Sequence, residues 1–87
     1  MTNTIAFLHV TAIDQEGNNI RIAWADAAGD TNLVQATNGT GGSYTTNFTD
    51  LSPPIILPGS GTVATNYLDV GGATDRPARY YRVRVVP

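Results

Sequence analysis

Apolar side chains in this chain recur at every second position, in short runs, and nowhere at helical spacing over a sustained window. Period-two alternation puts successive side chains on opposite faces of an extended strand, so each run reads as a strand with one face to bury. Clusters of Gly, Asn, Asp and Pro separate the runs, as expected for antiparallel strands joined by turns. The pattern confines the chain to an all-β fold, a small antiparallel sandwich of about six to seven strands.

The first run, Ile5 to Ile13, ends at a turn cluster, Asp14 to Asn19. In the second, Ile20, Ile22 and Trp24 face one way and Arg21, Ala23 and Ala25 the other, the signature of a half-buried strand. Asp26 to Asp30 turns the chain into Thr31 to Thr37, with Val34 pointing inward. The three glycines between Asn38 and Ser43 argue against a regular element there. Tyr44 to Leu51 reads as a strand. Ile55-Ile56-Leu57, bracketed by Pro53-Pro54 and Pro58, reads as a short edge piece, because proline cannot donate to a ladder. Thr62 to Asp69 carries Val63 and Tyr67 on one face. After a loop from Val70 to Ala78, Arg79 to Val86 closes the pattern, with Tyr81, Val83 and Val85 inward and Tyr80, Arg82 and Arg84 outward. No repeat and no second composition block is present, so one domain spans residues 1–87.

With 87 residues and no cysteine, the fold rests on a thin core without a disulfide or a Cys-ligated metal. Charged residues are 14% of the chain, against about 25% in an average domain, and lysine is absent. A surface rich in Thr and Asn fits an extracellular or cell-surface setting. The net charge of −2 offers no electrostatic reason to bind nucleic acid. The opening MTNTIAFLHV lacks a basic segment, and its apolar run is too short for a signal peptide or a membrane span. No membrane insertion is expected, and for an exported chain the leader lies outside these residues.

Several stretches resemble fibronectin-type-III-like (immunoglobulin-like) modules from the C-terminal ends of large extracellular bacterial proteins. Ile20-Arg21-Ile22-Ala23-Trp24 looks like their second strand with its core tryptophan. Asn32-Leu33-Val34-Gln35-Ala36 occupies the place of a Tyr-x-Val-x-Tyr strand, with Asn32 and Ala36 where tyrosines are expected. Phe48-Thr49-Asp50-Leu51 with Pro53-Pro54 resembles the family's aromatic-Thr-x-Leu stretch, and Arg79 to Val85 its closing aromatic strand. The resemblance implies that Trp24 and Tyr81 mark the core, and that Tyr81 is a corner tyrosine bonding backbone in the preceding loop. It also implies one more strand after the last, where the sequence instead reaches Val86-Pro87. Either the N-terminal run serves both sheets or an edge stays open. An open edge pairs with other strands, and Thr4, Ile5, Ala6, Phe7, Leu8, His9 and Val10 form a candidate donor strand for a neighbouring copy. Arg82, Arg84 and Pro87 are equally the residue types that blunt an edge.

No catalytic constellation is legible. His9 is the sole histidine and no Gly-x-Ser-x-Gly elbow exists. The glycine-rich stretches at 39–42 and 59–62 lack the Lys-Ser/Thr that phosphate cradling needs. Asp14, Glu16 and Asn18 alternate like the start of a calcium loop, but the downstream Glu is missing, and no metal or cofactor is expected. Without lysine there is no Lys–Asn isopeptide link. Asn38-Gly39-Thr40 and Asn47-Phe48-Thr49 match the glycosylation pattern. Leu33, Tyr80, Arg82 and Arg84 form a candidate interaction surface for an acidic or sugar partner.

The expectation is therefore a non-catalytic extracellular structural or adhesion module that self-assembles through an open sheet edge, in the manner of a donor-strand filament subunit. The alternative is a carbohydrate- or protein-binding accessory module of a secreted enzyme. A protein partner, self or parent chain, is expected ahead of a small molecule, with a glycan as the other candidate.

Overall fold

The computed structural model of the chain describes residues 8–40, 43–44, 48–74 and 78–86. Among them, two antiparallel sheets face each other and there is no helix. One sheet has the order β1 (His9–Glu16), β2 (Asn19–Ala27), β7 (Thr62–Asp69). The other is built on β3 (Thr31–Thr40), with β8 (Ala78–Val86) along one side. Three two-residue strands follow one another along its other side: β4 (Ser43–Tyr44), β5 (Thr49–Asp50) and β6 (Ile55–Ile56).

The core lies where β2 crosses β3. Ile22, Trp24 and Val34 are fully buried, and Leu8, Ile20, Leu51, Ile55, Tyr67, Tyr81 and Val83 pack around them. Burying Trp24 alone removes enough apolar surface to contribute a few kcal/mol. On one flank the sheets are tied together: the Tyr67 hydroxyl donates to the Leu51 carbonyl at 3.0 Å, and the backbone N–H groups of Ala28 and Gly29 donate to Gly61 and Leu57. The opposite flank, where β1 lies over β8, is tied at one end, where Asp69 of β7 takes hydrogen bonds from Arg79 and Tyr81 of β8; every residue of β1 is exposed, and none of β8 is fully buried.

The structure departs from the sequence expectations at four places. β1 runs on through Asp14, Gln15 and Glu16, because Gly17 at φ 63° makes a two-residue turn with Asn18 and pairs Glu16 with Asn19. β3 continues through Asn38, Gly39 and Thr40, held extended by pairing of Asn38 with Arg79 and Gly39 with Ala78. Tyr44 to Leu51 is not one strand; its described part divides into β4 and β5. Val85 faces inward yet remains 42% exposed, since no strand flanks β8 on that side among the described residues.

Inward positions also hold polar groups. Asp26 continues the Ile22–Trp24 face and is 2% exposed, and Asn32, on the expected tyrosine position, is fully buried. The Trp24 indole donates to Asn32 Oδ1 and the Asn32 amide donates to Asp26 Oδ2, so the amide performs as a bridge where an aromatic would only fill space.

Candidate strand-accepting groove

The β1/β8 flank opens into a groove of about 450 Å³ lined from both sheets, by Ile13, Gln15 and Ile20 on one side and Ala78, Arg79, Tyr80 and Tyr81 on the other, with Gly72 and Ala73 between. Ile13 pairs with Ile22 and Val10 with Trp24, so both share the inward face, yet they are 52% and 43% exposed. Together with Val85 they are core-facing side chains left about half exposed.

The backbone of β8 explains why. The Val34 carbonyl accepts from Leu51 and Ser52, and its N–H donates to Ser52 Oγ at 2.9 Å. Val34 thus turns its backbone away from β8, making Val34–Val83 a non-hydrogen-bonded pair of the ladder. Alternation gives the same status to Asn32–Val85 and to Ala36–Tyr81, and the Ala36 carbonyl indeed accepts from Thr49 Oγ1. The N–H and C=O groups of Tyr81, Val83 and Val85 therefore point to the far side of β8, where no strand pairs with them among the described residues. On β1, the two-residue turn makes Glu16–Asn19 the hydrogen-bonded pair, so Gln15 and Ile13 likewise present their backbone to the free side.

Charge and packing fix the groove floor. Asp69 at the end of β7 is 8% exposed and accepts from Arg79 Nε and the Tyr81 hydroxyl, both at 2.7 Å, while Arg79 Nη1 donates to Asn38 Oδ1 at 2.8 Å. Tyr81 thus bonds a carboxylate rather than loop backbone, correcting the corner-tyrosine expectation; a phenol-to-backbone bond is made instead by Tyr67. Burial first, and the Asp69 carboxylate second, push the Tyr81 phenol up to about 12, with Arg79 opposing. A Cβ on Gly72 would collide with Asp69 Oδ2 and lie 2.6 Å from the Tyr81 oxygen, so only glycine lets the loop close on this pair.

The candidate surface of Leu33, Tyr80, Arg82 and Arg84 is brought together by register: Leu33 pairs with Arg84, Gln35 with Arg82 and Thr37 with Tyr80 on the outer face. That face is partly covered. Arg82 lies 4.2 Å over the Phe48 ring and donates to Gln35 Oε1, and Gln35 donates to Asp50, leaving Gln35 only 5% exposed.

Of the candidate donor strand, Thr4, Ile5, Ala6 and Phe7 lie outside the described residues. Leu8 packs on the core, and His9 and Val10 pair with Ala25 and Trp24 of their own sheet, so those three are already engaged. The candidate calcium oxygens are spread along β1 and its turn. Both Glu16 oxygens take hydrogen bonds from Arg21, at 2.6 and 3.2 Å, which holds the Glu16 carboxyl below the usual range. Among the described residues no three His, Cys, Asp or Glu side chains converge. Asn38 spends its side-chain oxygen on Arg79, and Asn47 lies outside the described residues.

Sequence reading missed Ile13, Gln15, Asp69 and Gly72 as site residues. Ile13 lies in the first apolar run, but the bulge between Val10 and Ala12 breaks the alternation that would have marked it as inward.

No protein-family model matches the chain, and neither a curated protein nor a solved structure matches it.

Proposed function

We propose that this chain is a non-catalytic structural or adhesion module of an extracellular or cell-surface protein, and that it works by accepting a strand at the open β1/β8 flank. One observation carries the reading. Tyr81, Val83 and Val85 direct backbone donors and acceptors to a side of β8 where no strand pairs with them among the described residues, and on the same flank the inward side chains of Val10, Ile13 and Val85 stay about half exposed. A strand laid on β8 satisfies both needs together: its backbone completes the ladder and its alternate side chains fill the groove. The likeness of the strands carrying Trp24 and Tyr81 to fibronectin-type-III-like modules supports a structural or adhesion role.

A glycan-binding accessory module draws less support. Stacking on sugars needs exposed aromatic faces, whereas Trp24 is fully buried and the Phe48 ring lies under Arg82.

Size-exclusion chromatography with light scattering, followed by electron microscopy, tests the reading. Concentration-dependent assemblies are expected; a monodisperse monomer at high concentration overturns it.

A further inference from the structure

The geometry points to a second copy of this chain as the occupant of the open flank, docked about a two-fold axis along the strands, with β1 of each copy paired to β8 of the other. This rests on the strand-addition reading and names its partner.

Both free edges border one groove, so a partner offering a single strand would complete β8 and leave β1 bare. A second copy brings both edges at once. β1 is antiparallel to β2, β2 turns sharply into β3 through Ala28, Gly29 and Asp30, and β8 is antiparallel to β3. β1 and β8 therefore run in opposite senses. A two-fold axis parallel to the strands preserves those senses and exchanges the two sheets, so β1 meets the partner's β8 as an antiparallel neighbour at both seams. Each sheet of one copy then continues into the other sheet of its mate. The exposed inward residues Val10, Ile13 and Val85 come to lie in one shared interior. Such an isologous contact closes on itself as a dimer.

Charge selects this crossed pairing over the straight one. The outer face of β1 carries Asp14 and Glu16, and the outer face of β8 carries Arg82 and Arg84. Pairing β8 with β8 and β1 with β1 sets like charges side by side, which is unfavourable across a ladder. Pairing β1 with β8 sets carboxylates beside guanidiniums, opposite or on the diagonal. The arginines that keep β8 from pairing with itself thus favour β1. The bulge between Val10 and Ala12 leaves Ala12 to Glu16 as the regular stretch available for pairing.

The test uses charge reversal at exposed positions, with the thermal unfolding of each dilute variant as the folding control. Asp14→Arg and Arg84→Asp should each weaken self-association by roughly tenfold, since each substitution enters a two-fold interface twice. Mixing the two variants should restore a dimer, because each seam then joins opposite charges. If Asp14→Arg instead pairs best with the unmodified chain, straight pairing holds and the crossed dimer is wrong. If association persists but ignores both substitutions, the proposed partner face fails while strand addition stands. Open-ended polymers would overturn the closed two-fold dimer. A strictly monomeric chain would remove strand addition by self-assembly altogether.

Discussion

Trp24 gives its indole N–H to the Oδ1 of Asn32 at 2.9 Å across the centre of the core. Asn32 passes the polarity on, donating to Asp26 Oδ2 at 3.0 Å, so one fully buried amide satisfies a donor on one neighbour and an acceptor on another. Asn32→Ala should therefore cost about 3 kcal/mol, because it leaves an indole N–H and a carboxylate buried without their partner. Urea unfolding checks this; a loss below about 1 kcal/mol would mean that the bridge contributes little.

The same network ends in a carboxyl pair. Burial works to raise the Asp26 carboxyl, but hydrogen bonds from Asn32, the Ala27 backbone and Asp30 outweigh it and hold it below its ordinary 3.8. Asp30 is raised above 3.8, chiefly by its hydrogen bond to Asp26 and next by burial. Asp30 therefore adds stability as pH falls through its raised folded value towards 3.8, and Asp26 removes stability as pH falls further below 3.8. Stability should pass through a maximum in mildly acid solution, and Asp30→Asn should abolish the rise on its alkaline side. Chemical denaturation as a function of pH measures both.

At the groove floor, Tyr81 ionises late, its phenol pushed up to about 12 by burial and the Asp69 carboxylate. A group raised in the folded state contributes fully below its ordinary value of 10.0, and that contribution is lost as pH climbs from there through 12. Ultraviolet titration should show a tyrosine step delayed to about pH 12, and Tyr81→Phe should remove it. Gly72→Ala should cost about 1–3 kcal/mol by forcing the loop off Asp69 and Tyr81.

The two arginines of the outer face should behave differently. Arg82 stacks on Phe48 and bonds Gln35, so Arg82→Ala should cost about 1–2 kcal/mol, and lysine there should recover little because it lacks the flat fork. Arg84, exposed on the same face, should change the stability of the dilute chain by less than about 0.5 kcal/mol when replaced by alanine. Equal losses at both positions would contradict the coupling of Arg82 to Phe48.

What the sequence made legible were the long strands, because alternation shows in the residues themselves. Ile20, Ile22 and Trp24 face the core as their spacing predicts, and Val34 lies opposite them. The ends were less legible, since a two-residue turn at Gly17 and Asn18 lets polar Asp14 to Glu16 remain in the strand. Asp26, read as the start of a turn, ends β2 and is buried with Asn32 bonded to it, and Gln35 is buried between Asp50 and Arg82, pairings that alternation does not show. The open flank was half legible. The alternation of β8 shows in its residues, but its free edge and the part of β1 do not, because both depend on which strands lie beside and over β8.

Backbone hydrogen exchange, followed amide by amide as protein concentration rises, tests the open flank most directly. The amides of Tyr81, Val83 and Val85, with those of Ile13 and Gln15, should exchange fast in dilute solution and slow together as concentration increases. Those of Arg82 and Arg84, bonded to β3, should stay slow throughout. Protection of Val83 and Val85 already present in the dilute monomer, or fast exchange unchanged at every concentration, would contradict an edge built to receive another strand.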